Sequence, residues 1–363
     1  MSERRRSARV VSVLPLAVAI SACGARTTLA FDEPEPDGGA PPDAEAGVEA
    51  PDVPCSTEGV VTLANLPMNG GDVPEVVALD DTNVYFWINP DSQAGGSILS
   101  VPKCGGSVVT LAAGQPFPAG LAADGTSVYW TNASTEGTGS VMSVPRGGGA
   151  LVTVAHASDP IALAVDDTDA YWTDAVQDTV MRVKKTGGVP ITLASRQEGP
   201  NSVAVDATRV YWNVGYVEGC GSGSGGSIVS VDKGGGVPVT LAKIASFPGG
   251  IAVDAANVYW SEAADATGAT TLLVRAPLAG GAPVTLASTI PNVGQLAVDD
   301  ENLYFTDDGG GESGAGTVLY VPKLAGGTPA TIATGQSGPA GLAVDATSVY
   351  WTNDLVQVLK APK

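Results

Sequence analysis

From residue 60 onward, the chain alternates apolar and polar residues in short runs broken by Gly, Asp, Asn and Pro. A two-residue rhythm of this kind predicts strands, and the breaks predict tight turns. One run recurs seven times and ends in an aromatic pair: Tyr85-Phe86, Tyr129-Trp130, Tyr171-Trp172, Tyr211-Trp212, Tyr259-Trp260, Tyr304-Phe305 and Tyr350-Trp351. An Asp stands five residues before each Tyr, at 80, 124, 166, 206, 254, 299 and 345, so the repeat steps are 44, 42, 40, 48, 45 and 46 residues. Ala always precedes the Asp by two positions and a branched aliphatic by three, as in Leu342-Ala343-Val344-Asp345. Alternation puts that small and that large side chain on opposite sheet faces, which lets neighbouring sheets interdigitate.

A second motif follows each aromatic pair at a distance, as in Val109-Thr110-Leu111-Ala112 and Val284-Thr285-Leu286-Ala287. Each unit therefore reads as four strands. In the sixth these are Leu296 to Val298 (A), Asn302 to Thr306 (B), Thr317 to Val321 (C) and Pro329 to Ala333 (D). A period of this length with four strands inside it predicts propeller blades around one core. The array opens on a D strand, Val60 to Ala64, and closes on a C strand, Val356 to Pro362. The first D strand is thus expected to complete the last blade, giving an all-β, seven-bladed propeller with no free edge.

The repeated Asp suits an A–B turn, where a carboxylate accepts backbone N–H groups. The aromatic pairs read as core, each buried side chain contributing roughly 1.5–3 kcal/mol.

Charge changes the picture next. The 363 residues carry a formal −20, and without residues 1–22 the balance is 14 basic against 37 acidic. That excess argues against nucleic acid and suits divalent cations or a basic partner. Residues 1–9 are basic, Val10 to Ile20 is mostly apolar, and Ile20-Ser21-Ala22-Cys23 follows. This is an export signal. Its end resembles the lipobox of bacterial lipoproteins, which implies cleavage after residue 22 and acylation of Cys23; with Gly24 next, the resemblance points to the outer membrane. The expected divisions are a signal peptide at 1–22, a lipidated and disordered acidic linker at 23–58, and the propeller at 59–363. As a coil, the stretch from Cys23 to Gly59 reaches about 35 Å root mean square.

Tyr171-Trp172-Thr173-Asp174 and Tyr304-Phe305-Thr306-Asp307, with their Asn-ended variants at Tyr129 and Tyr350, resemble the YWTD repeats of lipoprotein-receptor propellers. The resemblance spans about residues 60–363 and implies the fold. It departs in blade number, six in those receptors against seven here, and in the fourth residue of three copies.

In such blades the A–B and C–D turns share one face of the disc, and the B–C loops and D–A connections share the other. Basic corners at Lys103, Arg146, Lys184, Lys185, Lys233 and Lys323 are expected to neutralise the turn Asp residues. The loop face carries the long insertions and many carboxylates, including Asp174, Asp307, Asp308 and Glu312. Binding is expected there, with a protein or polar small-molecule partner, a monomeric protein, and membrane contact through the lipid alone. Near the channel mouth Glu75, Asp159 and Asn201, beside Ser202 and Gln295, are candidate ligands for Ca2+ or Mg2+. A metal-dependent hydrolase or lyase at that mouth is the alternative to a non-catalytic binding or scaffold protein. The one His, His156, reads as a bystander, and no nucleophile elbow or phosphate loop is present. Cys55 and Cys104 both precede D strands in adjacent blades and are expected to form a disulfide, with Cys220 unpaired.

Overall fold

A computed structural model describes residues 58–66, 74–89, 95–216, 225–246, 248–264 and 270–363. The signal, the linker through residue 57, Cys23, Cys55 and Cys220 lie outside the described residues.

The described strands form seven antiparallel sheets of four, each with its strands in chain order except the last. Blade 1 comprises Val77–Leu79, Asn83–Ile88, Gly96–Pro102 and Val109–Gln115. Blade 3 comprises Pro160–Val165, Asp169–Asp174, Thr179–Lys184 and Ile191–Ser195. Blade 7 is Leu342–Val344, Ser348–Asn353 and Gln357–Pro362, completed by the opening strand Val61–Asn65. That opening strand runs antiparallel to the last, with Val61 opposite Lys360 and Asn65 opposite Gln357. Ring closure by the amino-terminal strand is therefore as the register of the repeats predicts. The A strands touch those of the blades before and after, blade 7 against blade 1 included, and so form the inner wall.

Strand limits run longer than the sequence implies: in blade 6 the A strand is Val293–Val298 rather than Leu296 to Val298, and the D strand is Ala330–Gln336 rather than Pro329 to Ala333. Pro118, Pro160, Pro200 and Pro248 stand first in their A strands. Proline fits a first strand position because no ladder bond is asked of its nitrogen.

Adjacent aromatics point to opposite faces of their sheet, so each pair serves two interfaces. Tyr129 of blade 2 shares a cluster with Trp172 of blade 3, Tyr171 with Trp212, and Tyr350 with Phe86 across the closure. All seven Tyr of these pairs are buried, as are their Trp and Phe partners. A further wedge sits where a C strand starts beside the next blade. At Gly139 an added Cβ would lie 2.5 Å from Pro160 Cδ and 2.8 Å from the Asn132 carbonyl, so only glycine admits that approach.

Candidate functional site

The two faces of the disc use their charges differently. On the turn face, every A–B Asp is a ligand for its own turn. The Asp166 carboxylate accepts the Thr168 and Asp169 N–H groups at 2.8 Å each and the Tyr171 hydroxyl at 2.8 Å. The same three bonds recur at Asp80, Asp124, Asp206, Asp254, Asp299 and Asp345. This supports the turn reading and adds the Tyr hydroxyl, which the five-residue spacing encodes.

The C–D corner of the following blade then supplies a cation. Lys233 of blade 4 reaches Asp166 of blade 3 at 2.6 Å and lies 5.5 Å from the Tyr171 ring centre. Lys103 to Asp345, Lys185 to Asp124, Lys323 to Asp254 and Lys363 to Asp299 repeat this arrangement, each Lys also lying over the Tyr of the blade it reaches. Arg146 reaches Asp80 and Asp81. Basic corners thus neutralise the turn carboxylates across a blade boundary, except Lys184, which instead pairs with Asp169 of its own blade at 2.9 Å. Burial alone would raise the Asp124 carboxyl; Lys185 and the turn donors outweigh it and hold the group well below its ordinary value. The same balance takes Asp254 and Asp299 to about 2. Blade 5 is the exception. Leu278 occupies its corner, bonded through its N–H to Ala256 as the Lys corners are to their own turns. Asp206 accordingly has no ion pair among the described residues.

Nine ion pairs among the described residues lie on this turn face. On the loop face, carboxylates crowd one another instead. Burial, then the Asp308 charge, pushes Asp354 up to about 6. Burial, then Asp354, raises Glu75, whose side chain still reaches solvent. Burial also raises Asp307, with Asp308 adding and the Gly309 N–H opposing. These four groups come from the ends of the B strands of blades 6 and 7 and from the connection into blade 1, so they form one acidic arc around the closure.

Of the candidate ligands, Glu75 belongs to this arc. Asp159, only 2% exposed, instead accepts the Ser134 N–H of the blade 2 loop at 2.8 Å. Burial raises its carboxyl and Asp174 adds to the effect. Asn201 lies in the A strand of blade 4, where its carbonyl accepts the Thr173 hydroxyl. Ser202 donates its N–H to Asn213 and Gln295 to Thr306. Among the described residues no group of three His, Cys, Asp or Glu is placed to hold a metal ion. His156 ends the D strand of blade 2, exposed. Asp354 was missed in the sequence; it follows the last Thr-Asn of the repeat, and nothing local distinguishes it from a turn residue. Cys104 is disulfide-bonded.

No protein-family model and no curated protein matches the chain. Among solved structures it is similar to virginiamycin B lyase from Staphylococcus aureus, at 14% identity and TM-score 0.61, over 83% of this chain and 97% of that one. It is also similar to the computationally designed Ika8 protein, at 14% identity and TM-score 0.54, over 83% and 99%. Tricorn protease matches at 13% identity and TM-score 0.60, over 85% of this chain and 34% of that one. At these identities the likeness is one of fold.

Proposed function

We propose that this propeller is a non-catalytic binding module of the bacterial envelope, held to the outer membrane by acylated Cys23, that docks a basic protein segment on its loop face. The observation that carries the reading is the segregation of charge. The cations of the turn face are spent on its own Asp residues, whereas Glu75, Asp307, Asp308 and Asp354 have no ion pair among the described residues and repel one another. A lysine or arginine brought by a partner relieves that repulsion, which directs association to this face.

The test is calorimetric titration of the whole chain with a lysine-rich peptide at low and physiological salt. The triple variant Glu75→Gln, Asp308→Asn, Asp354→Asn is expected to weaken binding about tenfold or more at unchanged fold, each ion pair to the peptide contributing on the order of 1 kcal/mol. Asp81→Asn, on the turn face, is expected to leave it unchanged. Equal binding by the triple variant would overturn the reading. Added Ca2+ or Mg2+ is expected to leave melting unchanged; a large rise lost in Glu75→Gln, Asp159→Asn or Asn201→Ala would favour the hydrolase or lyase alternative.

A further inference from the structure

Three connections into A strands place a left-handed residue just before a proline. Gly199 precedes Pro200 at φ +73°, and Gly338 precedes Pro339 at φ +49°. Glycine enters that region freely, so these two need no further account. The third is Phe117, before Pro118, at φ +46°. A bulky side chain there brings its Cβ against the following carbonyl, and the proline behind it narrows the choice of backbone further. Such a conformation costs free energy and marks places where something other than folding keeps it.

Within the fold, nothing offsets that cost. Phe117 is 69% exposed, whereas the Tyr, Trp and Phe of the repeated pairs are all buried. It belongs to none of the apolar clusters that join the blades. The backbone around it is nevertheless well fixed. Pro116 and Pro118 flank it, and its carbonyl accepts the Ala133 N–H at 2.9 Å. Pro118 in turn lies so close to blade 1 that a Cβ on Gly96 would stand 2.5 Å from it. The chain thus holds an aromatic ring in solvent at the seam of blades 1 and 2, on the loop face, with little backbone freedom left to lose on binding.

That seam neighbours the acidic arc. Glu75 stands in the connection into blade 1 as Phe117 stands in the connection into blade 2, and the A strands of those blades touch. A fixed, exposed aromatic beside crowded carboxylates matches a ligand that is both positive and apolar.

We propose that Phe117 is the apolar anchor of the loop-face docking surface, and that the basic segment docked there carries an aliphatic or aromatic side chain beside its lysines. The inference rests on the docking reading and narrows the partner. The cations of the segment meet the arc, and its apolar side chain covers the Phe117 ring, removing from water a surface that the fold leaves exposed.

The test is calorimetric titration of the whole chain with two peptides of equal charge. One has only Gly and Ser between its lysines, and the other has two of those residues made leucine. The parent is expected to bind the leucine peptide about tenfold more tightly, because apolar burial adds to the ionic contacts. Phe117→Asn installs a residue that tolerates the left-handed backbone. It is expected to lose that preference, to bind the Gly-Ser peptide as the parent does, and to melt no lower than the parent. Val237→Ser, which removes an 86% exposed apolar residue from the turn face, is expected to keep the preference. Equal binding of the two peptides by the parent, a preference that survives in Phe117→Asn, or a lower melting temperature for that variant would each overturn the proposal. If neither peptide binds, the docking reading falls and the proposal with it. If both bind alike and the triple variant at Glu75, Asp308 and Asp354 weakens both, the docking reading stands and the role of Phe117 alone is excluded.

Discussion

Replacing Asp166 and Asp206 separately by alanine measures what the interblade cation contributes. Both carboxylates hold their turns in the same way, through two N–H groups and one Tyr hydroxyl, at 2.8, 2.8 and 2.8 Å for Asp166 and 2.6, 2.7 and 2.6 Å for Asp206. Losing those bonds at a turn that water can reach costs about 2–3 kcal/mol at either site, near 1 kcal/mol per bond. Asp166 also loses Lys233, whose side chain is 16% exposed against 21% for the Asp. A pair buried to that degree falls between exposed pairs, at roughly 0–1 kcal/mol, and buried pairs broken on one side, at roughly 3–5 kcal/mol. The expected excess for Asp166→Ala over Asp206→Ala is therefore about 1–2 kcal/mol. Urea unfolding followed by tryptophan fluorescence reads both, and a double-mutant cycle with Lys233→Met should return that excess as coupling. Equal losses at the two sites, or a cycle with no coupling, would refute the idea that the corner lysines tie one blade to the next.

Four further outcomes follow from the same geometry. Leu63→Ala in the closing strand should cost about 2–5 kcal/mol in urea unfolding, because Leu63 is buried across the blade 7–blade 1 boundary. Gly139→Ala should cost at least about 1–3 kcal/mol by the same assay, since the new methyl meets Pro160 and backbone carbonyls. Cys104→Ser should lower stability by about 2–4 kcal/mol under oxidising conditions and by nothing once the parent is reduced. Asp354 binds its proton more tightly folded than unfolded, so its contribution to stability falls as pH rises from 3.8 to about 6. Asp354→Asn should accordingly gain about 1–2 kcal/mol at pH 7, after allowance for solvent screening, and nothing at pH 4. The turn carboxylates act the other way: Asp254 and Asp299 stabilise above about 3.8 and lose that effect as pH falls toward about 2.

The fold was legible because its organising residues are local and repeat. Asp80 and Tyr85 sit five apart in one turn, and seven copies of that spacing fix the blade number. Closure followed from a D strand without a C strand at one end and the reverse at the other. The cation at each corner was also visible, since Lys103, Lys185 and Lys233 stand at equivalent places. That each crosses to the preceding blade was not, because sequence spacing carries no information on which sheet a corner faces. The acidic arc was legible only in part. Glu75, Asp307 and Asp308 were marked by their loops, whereas Asp354 joins them through ring closure, 279 residues from Glu75 along the chain. The expected grouping of Glu75 with Asp159 and Asn201 rested on equivalent positions in different blades. Asp159 turns instead to the Ser134 N–H of blade 2.

The central claim is that the crowded carboxylates of the loop face are a docking surface for positive charge. The most direct measurement is the carboxyl 13C titration of Asp354, alone and with the lysine-rich peptide bound. The account predicts a midpoint near about 6 for the free protein and a clear downward shift in the complex, as a nearby cation favours the charged form. An ordinary carboxylate midpoint in the free protein, or one that does not move when the peptide binds, would contradict it.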